Sequence, residues 1–151
     1  MVRSRLLFLC TGNSCRSQMA EGLVNHYLRK SWQAFSAGTR PAGEVHPLAI
    51  KAMAELGIDI SAQQSKSVEA YRGREFDLVV TVCDSAAEDC PVWLGPGEKV
   101  HISFPDPALA AGSEAERMEV FRAVRDDLRR RIFYFLENRR VLAPGYSWAK
   151  Q

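Results

Sequence analysis

The 151-residue chain carries a formal net charge of +2, with 46% hydrophobic and 25% charged residues, a balance that suits one domain with a proper core and argues for neither nucleic-acid nor membrane binding. No apolar run approaches a membrane span, and Leu6 to Leu9 is too short for the apolar core of a secretory signal. A single cytoplasmic domain over 1–151 is therefore expected, with no tightly bound cofactor, and its four cysteines (Cys10, Cys15, Cys83 and Cys90) suit reactivity better than static bridges. His26, His46 and His101 show no ligand spacing with each other or with the cysteines, so no metal is expected.

In chain order, Leu6 to Leu9 is a short continuous apolar run, the pattern of a strand buried on both faces, and Gly12 and Asn13 punctuate a tight loop after it. A first helix is predicted over about 17–30, with Met19, Ala20, Leu23, Val24, Tyr27 and Leu28 as its core stripe. Residues 32–37 read as a second strand, parallel to the first through a βαβ crossover and ended by Gly38. His46-Pro47 opens a second helix that turns Ala49, Ala52, Met53 and Leu56 inward and stops at Gly57. After a connection, 68–71 reads as a short helix, and the β-branched stretch 76–82 as a third strand ending at Cys83.

Residues 84–97 hold two prolines, two glycines and several acidic groups around the core-like Val92-Trp93-Leu94, which reads as a long mobile loop. A fourth strand is predicted over 100–103, followed by a loop with Pro105-Asp106-Pro107. Ser113 and Glu116 form a capping box for a last helix, in which Val120, Phe121, Val124, Leu128, Ile132, Phe135 and Leu136 keep helical period. Arg122, Arg125, Arg129 and Arg130 interleave with Asp126 and Asp127 and read as a solvated face rather than a nucleic-acid patch, and 144–151 as a loosely held tail. This alternation predicts an α/β fold, a three-layer, doubly wound four-stranded parallel sheet whose ligand site lies beyond the carboxyl ends of the strands. Cys10, Cys83 and Asp106 would then meet at one edge.

A strand, a tight loop and a helix start with Arg16 at its head make a cradle of backbone N–H groups for a tetrahedral oxyanion. Arg16 adds fixed charge and a two-pronged donor, and the same positive features favour a thiolate at Cys10. Gly12 lets the backbone approach the anion, Asn13 can hold the loop's shape, and Ser17 can donate to the Cys10 sulfur. Asp106, stiffened by flanking prolines, suits a proton donor to a leaving oxygen. Cys83 and Cys90 can approach each other, and Cys83 could reach Cys10. Each also has a plainer reading: a buried cysteine before an arginine, loop and cap residues, a turn aspartate, two incidental thiols.

The run Cys10-Thr11-Gly12-Asn13-Ser14-Cys15-Arg16-Ser17 has the form Cys-x5-Arg-Ser and resembles the signature loop of protein tyrosine phosphatases. So close to the N-terminus, it resembles the low-molecular-weight branch and its relatives, the thioredoxin-coupled arsenate reductases. The run from Cys10 to Glu21, the stretches Ser36-Ala37-Gly38 and Gly57-Ile58-Asp59-Ile60-Ser61, and cysteines at 10, 83 and 90 match the arsenate reductase pattern over nearly the whole chain. The resemblance implies that Thr11 to Ser17, including Ser14, Cys15 and Arg16, bind arsenate or phosphate. It further implies that Cys10 is the nucleophile and Asp106 the general acid, and that Cys10, Cys83 and Cys90 relay a disulfide outward to thioredoxin.

Two departures stand out. Some relatives bind a monovalent cation through groups corresponding to Asn13, Glu21, Ser36 and a later acidic residue, whereas this chain has Ser65-Lys66-Ser67 there, so a lysine could replace the cation's charge. The tail beyond Asn138 has no assigned counterpart. The alternative activity is a low-molecular-weight protein tyrosine phosphatase using Cys10, Arg16 and Asp106 alone. Against it as the main role, Ala108 stands where those phosphatases usually carry a tyrosine, although weak aryl phosphatase activity is expected. A third reading is a thiol-based redox sensor or oxyanion-binding module, which would leave Asp106 idle.

Overall fold

The computed structural model describes residues 3–84 and 90–139. Among these, four parallel strands, β1 (Ser4–Cys10), β2 (Trp32–Gly38), β3 (Leu78–Thr81) and β4 (Glu98–His101), form one sheet in the order β2-β1-β3-β4. The helices are α1 (Arg16–Tyr27), α2 (Pro47–Ala54) and α3 (Glu114–Asn138), and a 3-10 turn spans Val68–Tyr71. β1 pairs with β2 from Ser4↔Trp32 to Cys10↔Gly38, and with β3 from Leu6↔Leu78 to Leu9↔Thr81. After β2 the chain crosses to the other side of β1, so the switch point lies at the carboxyl ends of β1 and β3.

Leu6 to Leu9 are fully buried because both faces of β1 are covered. Leu6, Phe8, Leu78 and Val80 pack with Met19, Leu23, Met53, Phe121 and Leu128 of the three helices. Leu7, Leu9 and Val79 face the other way, onto Tyr71, Phe76 and Trp93. The three layers hold as expected, with the second outer layer built from one 3-10 turn and edge-on aromatic contacts of Phe76 with Tyr71 and Trp93. The capping box is also present: Ser113 Oγ accepts from Glu116 N and Glu116 Oε1 accepts from Ser113 N, both at 3.1 Å. No helix among the described residues is long and apolar enough to cross a membrane.

Several expectations need correction. β4 lies at Glu98–His101 rather than 100–103, because an edge strand carries charge on its open side and Glu98 and Lys99 hid it from an apolar search. β3 is confined to Leu78–Thr81, although Val82 N still donates to Leu9 O. α1 stops at Tyr27, whose ring is partly exposed at the margin of the stripe. Of Val92-Trp93-Leu94 only Trp93 is core, while its neighbours are 77% and 91% exposed, as alternation in extended chain requires. Arg125 is not on a solvated face: it is buried, and its Nη1 donates to Ala52 O (2.8 Å) and Glu55 Oε1 (2.7 Å), tying α3 to the end of α2. Hydrogen bonds from Arg122, and then from Arg125, hold the Glu55 carboxyl down to about 2. The expected tail, 144–151, and the centre of the expected mobile loop, 85–89, lie outside the described residues.

Candidate active site

The loop from Cys10 to Arg16 is shaped by where its carbonyls go. Thr11 O accepts from Arg40 N (2.9 Å), Gly12 O from Ala42 N (2.9 Å) and Ser65 Oγ (3.1 Å), and Ser14 O from His46 N (3.0 Å). With its carbonyls turned outward onto the 40–46 and 63–66 segments, the loop presents its N–H groups to the inside. Asn13 pins this conformation. It takes φ 48°, a left-handed value that asparagine tolerates, and is fully buried. Its Nδ2 donates to Ser17 Oγ (2.8 Å) and Ser36 Oγ (2.9 Å), and its Oδ1 accepts from Gln18 Nε2 (2.9 Å) and Lys66 N (2.7 Å). Truncating it would leave several buried polar groups unmet, at about 1–3 kcal/mol each.

Sequence reasoning read Gly38 as a strand stop and as part of a stretch matching the family pattern, without a role; it stands under this loop. It pairs with Cys10, and a Cβ there would lie 2.4 Å from Thr11 O and 3.0 Å from Asn13 N. Ser17, expected as a donor to the Cys10 sulfur, uses its oxygen as an acceptor for Asn13, which leaves its hydroxyl proton to be given elsewhere. Gln18 was missed as well: it braces Asn13 and is braced by Gln63 Nε2 at 2.7 Å. Nothing in its spacing sets it apart from an ordinary helix-start glutamine.

Cys10 ends β1, is buried, and is not part of the disulfide. Arg16, the first residue of α1, is 2% exposed, donates from Nη1 to Phe104 O (3.1 Å), and brings Nη2 to 3.8 Å from Asp106 Oδ2. The arginine thus joins the loop after β1 to the loop after β4. Asp106 is itself fixed as the cap of the Pro107–Leu109 turn, with Oδ1 accepting from Ala108 N at 3.0 Å. Burial, and then the Asp106 charge, push the Cys15 thiol up to about 12, which favours its neutral form.

Glu21, Ser36 and Lys66 lie behind Asn13. Ser36 Oγ donates to Glu21 Oε1 (2.7 Å), and Lys66 Nζ donates to Gln64 O (2.6 Å) while standing 3.9 Å from Glu21 Oε1. Burial raises Glu21 and lowers Lys66, and the loose ion pair opposes both shifts.

The remaining cysteines lie beside the same edge. Cys83 follows β3 by two residues and is fully buried, and Val82 N bonds Leu9 O, next to Cys10. Adjacent strands run about 4.8 Å apart, so Cys10 and Cys83 occupy neighbouring strand ends. Cys83 is bonded to Cys90, with Cα atoms 5.8 Å apart, and Cys90 is only half-buried. A ring nitrogen of His101 and the two sulfurs lie within 4.8 Å of one another. Sequence spacing could not reveal this, because the histidine arrives by strand pairing.

An amide-lined loop with a cysteine at its floor, at the switch point of a parallel sheet, defines the phosphatase type of cysteine-dependent oxyanion site. Residues 5–141 match the model of the low molecular weight phosphotyrosine protein phosphatase family, and the chain belongs to that family. It is 49% identical over 137 residues to an arsenate reductase of Halalkalibacterium halodurans, covering 91% of this chain and 98% of that protein. Among solved structures it is similar to an arsenate reductase in the phosphate binding state (TM-score 0.69, 32% identity, 89% of this chain and 98% of that one). It also resembles a thioredoxin-dependent arsenate reductase of Corynebacterium glutamicum (TM-score 0.61, 27% identity, 90% and 63%).

Proposed function

We propose that the protein reduces arsenate to arsenite and passes the resulting disulfide to a thioredoxin. The observation that carries this reading is the Cys83–Cys90 disulfide, whose Cys83 follows the strand paired with the one that Cys10 ends. Arsenate, a phosphate-shaped oxyanion, binds the amides of Thr11 to Ser17 and the Arg16 guanidinium. The Cys10 thiolate attacks arsenic, and Asp106 protonates the departing hydroxyl as water. Cys83 then attacks the Cys10 sulfur; the S–As bond breaks, its electron pair stays on arsenic, and arsenite leaves behind a Cys10–Cys83 disulfide. Cys90 attacks Cys83, freeing Cys10 and moving the bridge to the half-buried position, where a thioredoxin dithiol can reduce it. Lys66 supplies the positive charge behind Asn13. Such a relay suits the cytoplasm, where thiols are kept reduced.

Thioredoxin, its reductase and a nicotinamide donor should together give arsenate-dependent consumption of reductant. If phosphate-free assays show no arsenate dependence, the reading fails. The same loop also supports weak hydrolysis of small aryl phosphates. There, Asp106→Asn is expected to slow turnover about 10²-fold or more for poor leaving groups and much less for good ones, since a general acid matters most when the leaving oxygen is basic. Equal slowing across a leaving-group series would remove Asp106 from that role.

A further inference from the structure

His101 closes β4 directly opposite Thr81 of β3, two residues before Cys83. Its Nδ1 lies 2.6 Å from Thr81 Oγ1, and that hydroxyl also faces Val100 O at 3.5 Å. In the Nδ1–H tautomer, the hydroxyl gives its proton to Val100 O and its oxygen accepts from Nδ1–H. This leaves Nε2 as a bare acceptor. Nε2 is buried and finds no hydrogen-bond partner among the described residues, while a ring nitrogen of His101 lies within 4.8 Å of both disulfide sulfurs. Burial lowers the ring's proton affinity below that of a free imidazole; a hydrogen bond with the Thr81 backbone, and then the Asp84 charge, oppose this by less. A buried acceptor without a donor is costly, and a disulfide has no proton to offer. The reduced pair has two.

We propose that His101 is the positioning residue of the Cys83–Cys90 couple, its Nε2 accepting a hydrogen bond from a thiol of the reduced pair and so stabilising the dithiol over the disulfide. The proposal takes its purpose, but not its measurement, from the arsenate reductase reading. In the reaction concerned, a thioredoxin-class dithiol supplies two electrons and two protons. The Cys83–Cys90 bond breaks, both sulfurs become thiols, and the donor leaves as its own disulfide. As the released thiol attacks, the Sγ–H···Nε2 bond offers its proton an acceptor. His101 thereby makes the bridge easier to reduce and the released thiol readier to attack.

The test uses the full chain without arsenate. Wild type, His101→Asn and His101→Gln are equilibrated anaerobically in thioredoxin redox buffers, and the Cys83–Cys90 bridge is quantified by alkylation and mass spectrometry, with folding checked by circular dichroism. Asparagine can keep the Thr81 partner but ends short of the Nε2 position, whereas glutamine reaches it with an acceptor oxygen. His101→Asn should move the equilibrium about tenfold towards the disulfide, or about 30 mV for a two-electron couple, and His101→Gln should recover most of that shift. An unchanged constant in His101→Asn, or equal shifts in both variants, overturns the proposal. Should the variants not fold, ring ¹⁵N resonances of His101 in the wild type decide: the Nε2 signal moves on reduction if a thiol bonds it, and an unmoved signal overturns the proposal. Failure of arsenate turnover in the coupled assay would leave this constant measurable, so the two failures are separable.

Discussion

Cys10→Ser is expected to abolish both arsenate reduction and aryl phosphate hydrolysis, each by about three orders of magnitude or more, because both reactions begin at the same sulfur. Arg16→Ala should do nearly as much. The guanidinium is the fixed positive charge at the loop, and it also donates to Phe104 O and stands 3.8 Å from Asp106 Oδ2. Losing it weakens the clamp on the anion and loosens the acid loop that it orients. Steady-state rates with arsenate and with an aryl phosphate, measured on the same preparations, check this. Retention of either activity in Cys10→Ser would mean that the two reactions do not share a site.

What the sequence made legible was local. The apolar run Leu6 to Leu9, the break at Gly12-Asn13 and the stripe of α1 concern residues close in sequence, and strand, loop and helix stand where their periods put them. The capping box at Ser113 is likewise contained in four residues. The ends of β3 and β4 were less legible, because a strand's limits depend on its neighbour rather than on its own pattern. Glu98 and Lys99 are strand residues only because Leu78 and Val79 lie beside them. Arg125 misled for a similar reason: its sequence neighbours are charged, but its partners, Ala52 O and Glu55, come from α2 and its end.

The site shows the same division. Cys10 and Arg16 could be picked out because their residue types at that spacing have few other uses, whereas Asp106 before a proline also reads as a turn residue and was singled out through the family resemblance. Gly38, Gln18 and His101 make their contacts across the sheet or between segments far apart in the chain, so although Gly38 and Gln18 fall within stretches that match the family pattern, local spacing does not show what they do. Gly38 is needed because Thr11 O occupies the space where its Cβ would be, a fact about the packed loop alone.

The two remaining cysteines separate the enzyme readings. Hydrolysis of a phosphoryl adduct on Cys10 ends with water, so it needs neither Cys83 nor Cys90, whereas reduction of arsenate draws two electrons from a dithiol. Cys83→Ser should therefore keep aryl phosphatase activity while eliminating arsenite release under multiple turnover. Cys90→Ser should complete about one turnover and then stall as a Cys10–Cys83 disulfide, because the thiol that carries the bridge outward is missing. The neighbouring ends of β1 and β3 make that trapped bridge geometrically reasonable, since Cys10 and Cys83 extend strands paired at Leu9↔Thr81. Mass spectrometry of alkylated, digested protein identifies which bridge accumulates. Sustained thioredoxin-coupled turnover in both single variants would defeat the three-cysteine relay, leaving a phosphatase, or a reductase that uses Cys10 with a small external thiol, as the better account.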